Sequence, residues 1–388
     1  GRRRAAILCV RMRITVLGAG AMGGSVARLL ARHDDVELHV VDADAERASS
    51  VVAAIGRGTA AGLPSEGISA PALDGSDAVA VCVPYRLNLE AMRAALAARI
   101  PYVDLGGLFH MTRRQLELDG EFREAGVPAV IGVGACPGLS NVMAKLASGR
   151  LDTVESIDIV DGSVDPGTTG FAVPYSAETI LDELDLPAMV YENGELKEVP
   201  AGTGAIEYEF PEPVGRMEAV YTLHSEPATL PSTIPGLRNL RWRLGLPPEV
   251  IGGFRLFVEL GLASSEPIPT SAGPVSPREV LVALLNRLPQ SDQPGQDVEF
   301  LDVVARGTRG GKPAGFLGRS KFEPQPEGIG GGAFGTAIPI AVASRWLAEG
   351  RVEPGVHPPE SALAPEAFLG DLEREGVVFD LRELDDVD

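Results

Sequence analysis

From residue 12 onward the apolar positions gather into short runs with few polar interruptions at 14–17, 36–41, 78–83, 102–105 and 129–133, each followed by a longer segment of mixed apolar and polar residues. Runs with so little polar alternation suit strands that are covered on both faces. The intervening segments at 22–31, 87–98 and 112–125 predict helices. Strands and helices alternating in this way predict an α/β fold of Rossmann type, a doubly wound parallel sheet with right-handed crossovers.

Near residue 150 the pattern changes. From Val154 the segments alternate apolar with polar positions and are joined by turns, and Asn193-Gly194 between Met189-Val190-Tyr191 and Leu196 is a hairpin signal. Further strands are expected at 206–210, 217–223, 298–306 and 314–317, the last two joined by a turn over 307–312, with helices at 177–183, 249–260 and 277–288 covering them. This predicts a second, α+β domain built on a mixed sheet. The Pro- and Gly-rich stretches at 264–277 and 324–335 read as surface loops. Helices at 337–349 and 365–375 and a strand at 377–381 restore the α/β pattern, so the tail is expected to pack back on the first domain. The expected units are residues 12–138 plus 336–388, and residues 139–335.

Composition narrows function more than fold. Among 388 residues, 54 are acidic and 34 basic, a formal charge of −20. So negative a surface repels phosphate backbones and anionic lipid, and neither nucleic acid nor membrane is expected as a partner. No apolar stretch reaches the ~18 residues that span a bilayer. Cys9, Cys82 and Cys136 lie far apart with no C-x-x-C pairing, which suggests neither a zinc site nor a disulfide framework and favours a cytoplasmic setting. Arg2-Arg3-Arg4 and the apolar run 5–10 are too short for a signal peptide, and the fold is expected to start at Met12.

The chemistry concentrates first at Gly18-Ala19-Gly20-Ala21-Met22-Gly23, a G-x-G-x-x-G spacing between a strand and a helix. Gly18 permits the tight turn, Gly20 lets the main chain approach a pyrophosphate, and Gly23 lets the helix sit close on the sheet. The helix N-terminus at Ala21 and Met22 then offers free N–H groups to phosphate. Asp42, at the end of the next strand, is placed to accept both ribose hydroxyls. Its carboxylate repels a 2′-phosphate, and no Arg or Lys follows until Arg47, so NAD is favoured with NADP as the alternative. A glycine turn kept for packing, or the glycine loop of an S-adenosylmethionine methyltransferase, are the competing readings of these residues. The latter more often runs G-x-G-x-G.

In an open α/β sheet the ligand lies beyond the carboxyl ends of the strands. Those ends are Val83-Pro84-Tyr85, Asp104-Leu105-Gly106-Gly107 and Gly132-Val133-Gly134-Ala135-Cys136-Pro137-Gly138, the last leading into a helix near Leu139-Ser140-Asn141. Val83, Pro84, Gly106 and Gly134 are therefore further cofactor contacts. Of the five histidines, His224 follows a predicted strand in the polar turn His224-Ser225-Glu226-Pro227 and is best placed to reach a cleft. No H-E-x-x-H, clustered metal ligands or G-x-S-x-G elbow occurs, so no metal and no covalent serine or cysteine chemistry is expected.

Residues 79–85 and 102–107, the run Gly134-Ala135-Cys136-Pro137-Gly138-Leu139-Ser140-Asn141 and residues 224–231 together resemble the saccharopine dehydrogenase-like family. Within it the chain looks most like lysine 6-dehydrogenase, with the saccharopine reductases next. Cys136 stands where the reductases tend to carry an acid, whereas Tyr85 resembles the reductase pattern. The resemblance implies that the first unit binds the dinucleotide, that the second builds the substrate site and the interface of a homo-oligomer, a dimer being favoured, and that hydride passes between a nicotinamide and an amine-bearing carbon. On it Asp104, Tyr85 and His224 are expected to handle protons or touch the amine, and Asn141, Arg216 and Glu226 to anchor substrate. The expected activity is oxidative deamination of L-lysine at its side chain. The alternatives are a saccharopine reductase-like or carboxynorspermidine-type reductive condensation of an amine with an aldehyde, and a non-catalytic dinucleotide sensor.

Overall fold

The structure, a computed structural model, describes residues 11–167, 171–271, 273–288 and 295–385. Arg2-Arg3-Arg4, the 5–10 run with Cys9, and Ala272 in the expected 264–277 loop lie outside the described residues.

Elements are numbered in chain order. Strands β1 (Met12–Leu17), β2 (Val36–Asp42), β3 (Thr59–Gly62), β4 (Ala78–Val81), β5 (Tyr102–Asp104), β6 (Pro128–Val130) and β17 (Gly355–His357) form a seven-stranded sheet in the order β17-β6-β5-β4-β1-β2-β3. Every pairing in it is parallel. The strand order reverses between β1 and β4, which opens the crevice where such sheets bind ligands. Helices α1 (Ala21–Leu30), α2 (Ala45–Ile55) and α3 (Asn88–Ala98) are crossovers. The helix expected at 112–125 is two, α4 (Leu108–Leu116) and α5 (Asp119–Ala125). Asp119, the first residue of the second, accepts from the Val356 N–H at 2.9 Å, which ties β17 to α5.

The second sheet runs β10 (Ile206–Glu209), β11 (Arg216–Val220), β12 (Asn239–Gly245), β7 (Thr153–Val164), β15 (Val298–Arg309), β16 (Lys312–Phe322), β18 (Val378–Glu383), with the hairpin β8 (Ala188–Glu192) and β9 (Glu195–Val199) added at β12. The sheet is mixed: β12 and β7 are parallel and the other pairings antiparallel. The β8–β9 turn takes positive φ at Asn193 (55°) and Gly194 (87°), as an Asn-Gly hairpin requires. The long hairpin of β15 and β16 turns at Gly310-Gly311, so both strands run further than the expected 307–312 turn allows. The expected 264–277 loop contains a two-stranded ribbon, β13 (Ile268–Thr270) and β14 (Gly273–Val275).

The remaining helices are α6 (Leu139–Ser148), α7 (Ala177–Asp185), α8 (Leu230–Thr233), α9 (Pro248–Glu259), α10 (Pro277–Leu285), α11 (Gly331–Ala348), α12 (Pro359–Ala362) and α13 (Pro365–Arg374). The tail does not return to the first sheet as a whole. Strand β17 extends the parallel sheet, but β18, the strand expected there, pairs antiparallel with β16 from Phe316↔Glu383 to Lys321↔Val378. An eleven-residue edge strand leaves a row of unpaired N–H and C=O groups, and β18 covers it. One buried apolar cluster runs from Val16 and Val26 through Met143 on α6 and Ile338 on α11 to Ile159, Trp242 and Leu301. Helices α6 and α11 thus share one core with both sheets, α11 packing on β1, β4 and β5 of the first and on β15 and β16 of the second.

Candidate active site

The glycine loop is built as a cradle. Gly18 adopts φ +101°, and a Cβ there would lie 2.6 Å from the Cys82 carbonyl oxygen at the end of β4. A Cβ at Gly23 would run into the Gly18 carbonyl. At Gly20 a Cβ would meet nothing within 4 Å, so the main chain faces open space where a pyrophosphate would sit. No side chain caps α1, and the amides of Ala21, Met22 and Gly23 open its first turn without an intrahelical acceptor. Asp42 accepts from the Ala19 N–H at 2.6 Å and the Asp44 N–H at 2.8 Å, so its carboxylate shapes the loop. Arg47 comes within 3.7 Å of the same carboxylate. These features fit a dinucleotide: glycines where the backbone must come close, free amides for the diphosphate and an acid for the ribose.

Beyond β4, Val83 and Pro84 follow Cys82 along the glycine loop, and Tyr85 leaves the crevice to donate its hydroxyl to Asp182 at 2.7 Å. Burial, and then that carboxylate, raise the Tyr85 pKa. Asp104 is fully buried and surrounded by donors: the Tyr102 hydroxyl at 2.7 Å, Gln115 Nε2 at 2.5 Å, and the amides of Gly106 and Gly132 at 3.0 and 2.7 Å. Burial raises its pKa despite them. Its carboxylate pins the ends of β5 and β6 together. Gly106, at φ +110°, lies against Pro137, while Gly134 bonds Pro137 O and Leu139 N, closing the Cys136–Pro137 loop on itself.

That loop delivers Cys136 to a group of buried acids. The β7–β12–β15 register puts Asp161 on the inner face with Ile157 and Ile159, opposite Leu244 and Leu301, while Glu299 faces the same way opposite Ser163. Helix α7 adds Glu183, which takes a short hydrogen bond from the Tyr175 hydroxyl. His224 stacks on Trp242, with ring centroids 4.0 Å apart and planes at 21°. Its Nδ1 bonds Glu226 Oε2 at 2.6 Å, and Ser140 at the start of α6 donates to the other Glu226 oxygen at 2.7 Å. Nothing among the described residues bonds His224 Nε2.

The electrostatics follow from this crowding. Burial pushes Asp161 and Glu183 up to about 7 each, against the opposing pull of His224 and hydrogen bonds from Cys136 and Tyr175 respectively. Burial and the charges of Asp161 and Asp297 hold Glu299 well above the carboxylate range. Burial alone would lower His224, but the charge and hydrogen bond of Glu226, with Glu183 and Asp161 behind, raise it. Glu226 is lowered in return, its burial outweighed by His224 and Ser140. The Cys136 thiol, raised by burial and the surrounding acids, stays protonated and lies 3.6 Å from Asp161. Among the described residues no three His, Cys, Asp or Glu side chains converge as a metal site.

His224 and Glu226 thus meet in one buried pair, and the structure adds Asp161, Glu183, Glu299, Tyr175 and Trp242, which sequence reasoning passed over. Asn141 is adjacent but occupied: its oxygen accepts from the Gly138 N–H at 3.1 Å and its amide binds Thr229 and Glu360 at 3.2 and 3.0 Å. Arg216 lies on the outer β10–β11 hairpin, two-thirds exposed and paired with Glu207 at 2.6 Å, outside this cluster.

A dinucleotide cradle and a buried histidine–carboxylate pair in one fold of this type fit an NAD(P)-dependent oxidoreductase. Residues 14–130 match the saccharopine dehydrogenase NADP binding domain and residues 134–377 the saccharopine dehydrogenase C-terminal domain. The chain belongs to the saccharopine dehydrogenase family. It is 25% identical over 416 residues to the carboxynorspermidine synthase of Vibrio cholerae, covering 96% of this chain and 98% of that one. It is 23% identical over 296 residues to the carboxyaminopropylagmatine dehydrogenase of a Synechocystis species, over 70% and 72% of the two chains. The fold is shared with the saccharopine dehydrogenase (L-Glu forming) of Saccharomyces cerevisiae, at a TM-score of 0.76, 16% identity and coverage of 96% and 100%. No described helix is long and apolar enough to cross a membrane.

Proposed function

We propose that this enzyme joins a di- or polyamine to an aldehyde, losing water to an imine that is then reduced to a secondary amine. The observation that carries this reading is the charge of the buried acid–histidine cluster. Glu226 bonds the His224 imidazole, Asp161 and Glu183 act on it by charge, and Glu299 lies beside Asp161. Such a cluster attracts a substrate with more than one ammonium group and repels the α-carboxylate of lysine. The names of both relatives, each a carboxylated polyamine enzyme, support the same choice over deamination of lysine.

The chemistry a bound nicotinamide supplies is hydride transfer at the imine carbon. The chain's own groups do the rest. Condensation needs an amine that has lost a proton and a departing water that has gained one. His224 can hold that proton on Nε2 while Glu226 fixes the ring and Trp242 backs it. Asp161 and Glu183, near neutrality, hold the remaining ammonium. Asp104 and Tyr85 act at one remove, Asp104 by fixing the strand ends and Tyr85 through Asp182. For the cofactor, Asp42 favours NAD, with Arg47 the nearest counter-charge to a 2′-phosphate.

Asp161→Asn and Glu183→Gln are expected to raise KM for a diamine such as 1,3-diaminopropane by about ten- to a hundredfold each, the worth of one charge-assisted contact, and to leave KM for the cofactor unchanged. Steady-state kinetics with saturating aldehyde checks this. An unchanged diamine KM in both variants contradicts the reading.

A further inference from the structure

The pocket accounts for amines, but a carboxylated product also needs a place for its carboxylate, and the acids cannot provide it. A cationic group is built on the preceding residue of α7. Asp182 precedes Glu183, and its carboxylate is 5% exposed and shared by three donors. Oδ2 takes the Tyr85 hydroxyl at 2.7 Å and Arg86 Nη2 at 2.6 Å, and Oδ1 takes Arg278 Nη2 at 2.8 Å. Two guanidinium groups on one carboxylate leave a net positive charge. The two are not equivalent. Arg278 is 12% exposed and also donates to the Glu178 and Ala263 carbonyls at 3.0 and 3.4 Å, so it is fixed. Arg86 is 55% exposed, makes one ion pair and otherwise lies 5.2 Å from the Tyr85 ring centroid.

We infer that Arg86 is the docking group for a substrate carboxylate, at the opposite end of the molecule from the amine held by the acidic pocket. This rests on the reading of that pocket given above. A half-exposed ion pair is weak and exchangeable. If Arg86 turns away, Asp182 keeps Tyr85 and Arg278, so no buried charge is stranded. The guanidinium then offers the fork that matches a carboxylate. Its position suits the role. Arg86 lies beyond the carboxyl end of β4, beside the crevice. Tyr85 packs against the apolar cluster of Leu108, Phe109, Met189 and Leu223, and Leu223, whose N–H bonds the Glu183 carbonyl at 3.1 Å, precedes His224, so one apolar cluster connects the positive rim to the acidic group. A substrate negative at one end and positive at the other lies along that cluster in one direction only.

The test is calorimetry on the enzyme saturated with reduced cofactor, using N-(3-aminopropyl)-4-aminobutanoate and N-butyl-1,3-diaminopropane, ligands of equal chain length that differ in the carboxylate. The unsubstituted enzyme is expected to bind the acid about ten- to a hundredfold more tightly. Arg86→Met, which keeps the apolar stem, should abolish that preference and leave the affinity for the plain amine within about twofold, while Arg86→Lys should retain part of it. A preference that survives Arg86→Met overturns the inference, as does equal weakening of both ligands, or no preference in the unsubstituted enzyme. If the unsubstituted enzyme binds neither ligand, the polyamine reading fails and this inference falls with it.

Discussion

Asp161 and Glu183 are carboxylates held near neutrality by burial, so protein stability and amine binding should depend on pH in opposite senses. Each has a folded pKa of about 7, above the ordinary carboxylate range. The stability such a group contributes is complete below its unfolded pKa and is lost as pH rises through about 7. Amine binding, which needs the ionised form, strengthens over the same rise. Asp161→Asn is therefore expected to be more stable relative to the unsubstituted protein at about pH 8 than at about pH 5, by roughly 1–3 kcal/mol, in chemical denaturation without ligand. His224→Gln should lower kcat by about 10²–10⁴ with little effect on cofactor affinity, and Glu226→Gln should move the basic limb of the rate profile to lower pH, because Glu226 holds the imidazole pKa up. Full activity in His224→Gln would remove the proton-handling role. His224 stood out in the sequence because it follows a strand in a polar turn, whereas Glu226, expected from the family resemblance to anchor substrate, instead bonds the imidazole. Asp161 and Glu183 did not stand out: an acid in phase with Ile157 and Ile159 looks like any charged strand residue until the register shows which face it takes. Asp104 stood out at a strand end, but only the three-dimensional structure shows four donors surrounding its carboxylate.

At the scale of the element, the strand–glycine turn–helix unit from β1 to β2 follows from local sequence, and its glycines divide by purpose. Gly18 and Gly23 are needed by the fold, since added carbons would strike Cys82 and the loop itself, whereas Gly20 faces open space. Gly20→Val is therefore expected to fold normally, with an unchanged melting temperature, and to weaken cofactor binding at least about a hundredfold by calorimetry; retained affinity would refute the cradle. Among the parallel strands β1 and β4 were readable because double burial leaves them almost wholly apolar, and β2 because its apolar residues still outnumber Glu37 and His39. Strand β12 was missed because Arg241 and Arg243 interrupt its apolar residues, although Leu240, Trp242 and Leu244 alternate with them and face inward. Strand β18 was seen but assigned to the wrong sheet. Its pairing with β16 is a contact distant in sequence, and nothing in residues 377–381 distinguishes one sheet edge from another.

For the whole molecule, α6 and α11 join two sheets through one core, so the distance from the glycine loop to the acidic pocket is set by packing. The family assignment accounts for the cradle, and on the reading proposed above the charge of the buried acid–histidine cluster selects among the family's chemistries in favour of a polycation. The measurement that tests this most directly is the change in reduced-nicotinamide absorbance with matched substrates. The account predicts rapid oxidation of NADH or NADPH when 1,3-diaminopropane and a short carboxylated aldehyde are supplied together, dependence on both, and little reduction of NAD by L-lysine alone. Ready reduction of NAD by L-lysine, with no consumption of reduced cofactor in the presence of diamine and aldehyde, would contradict it.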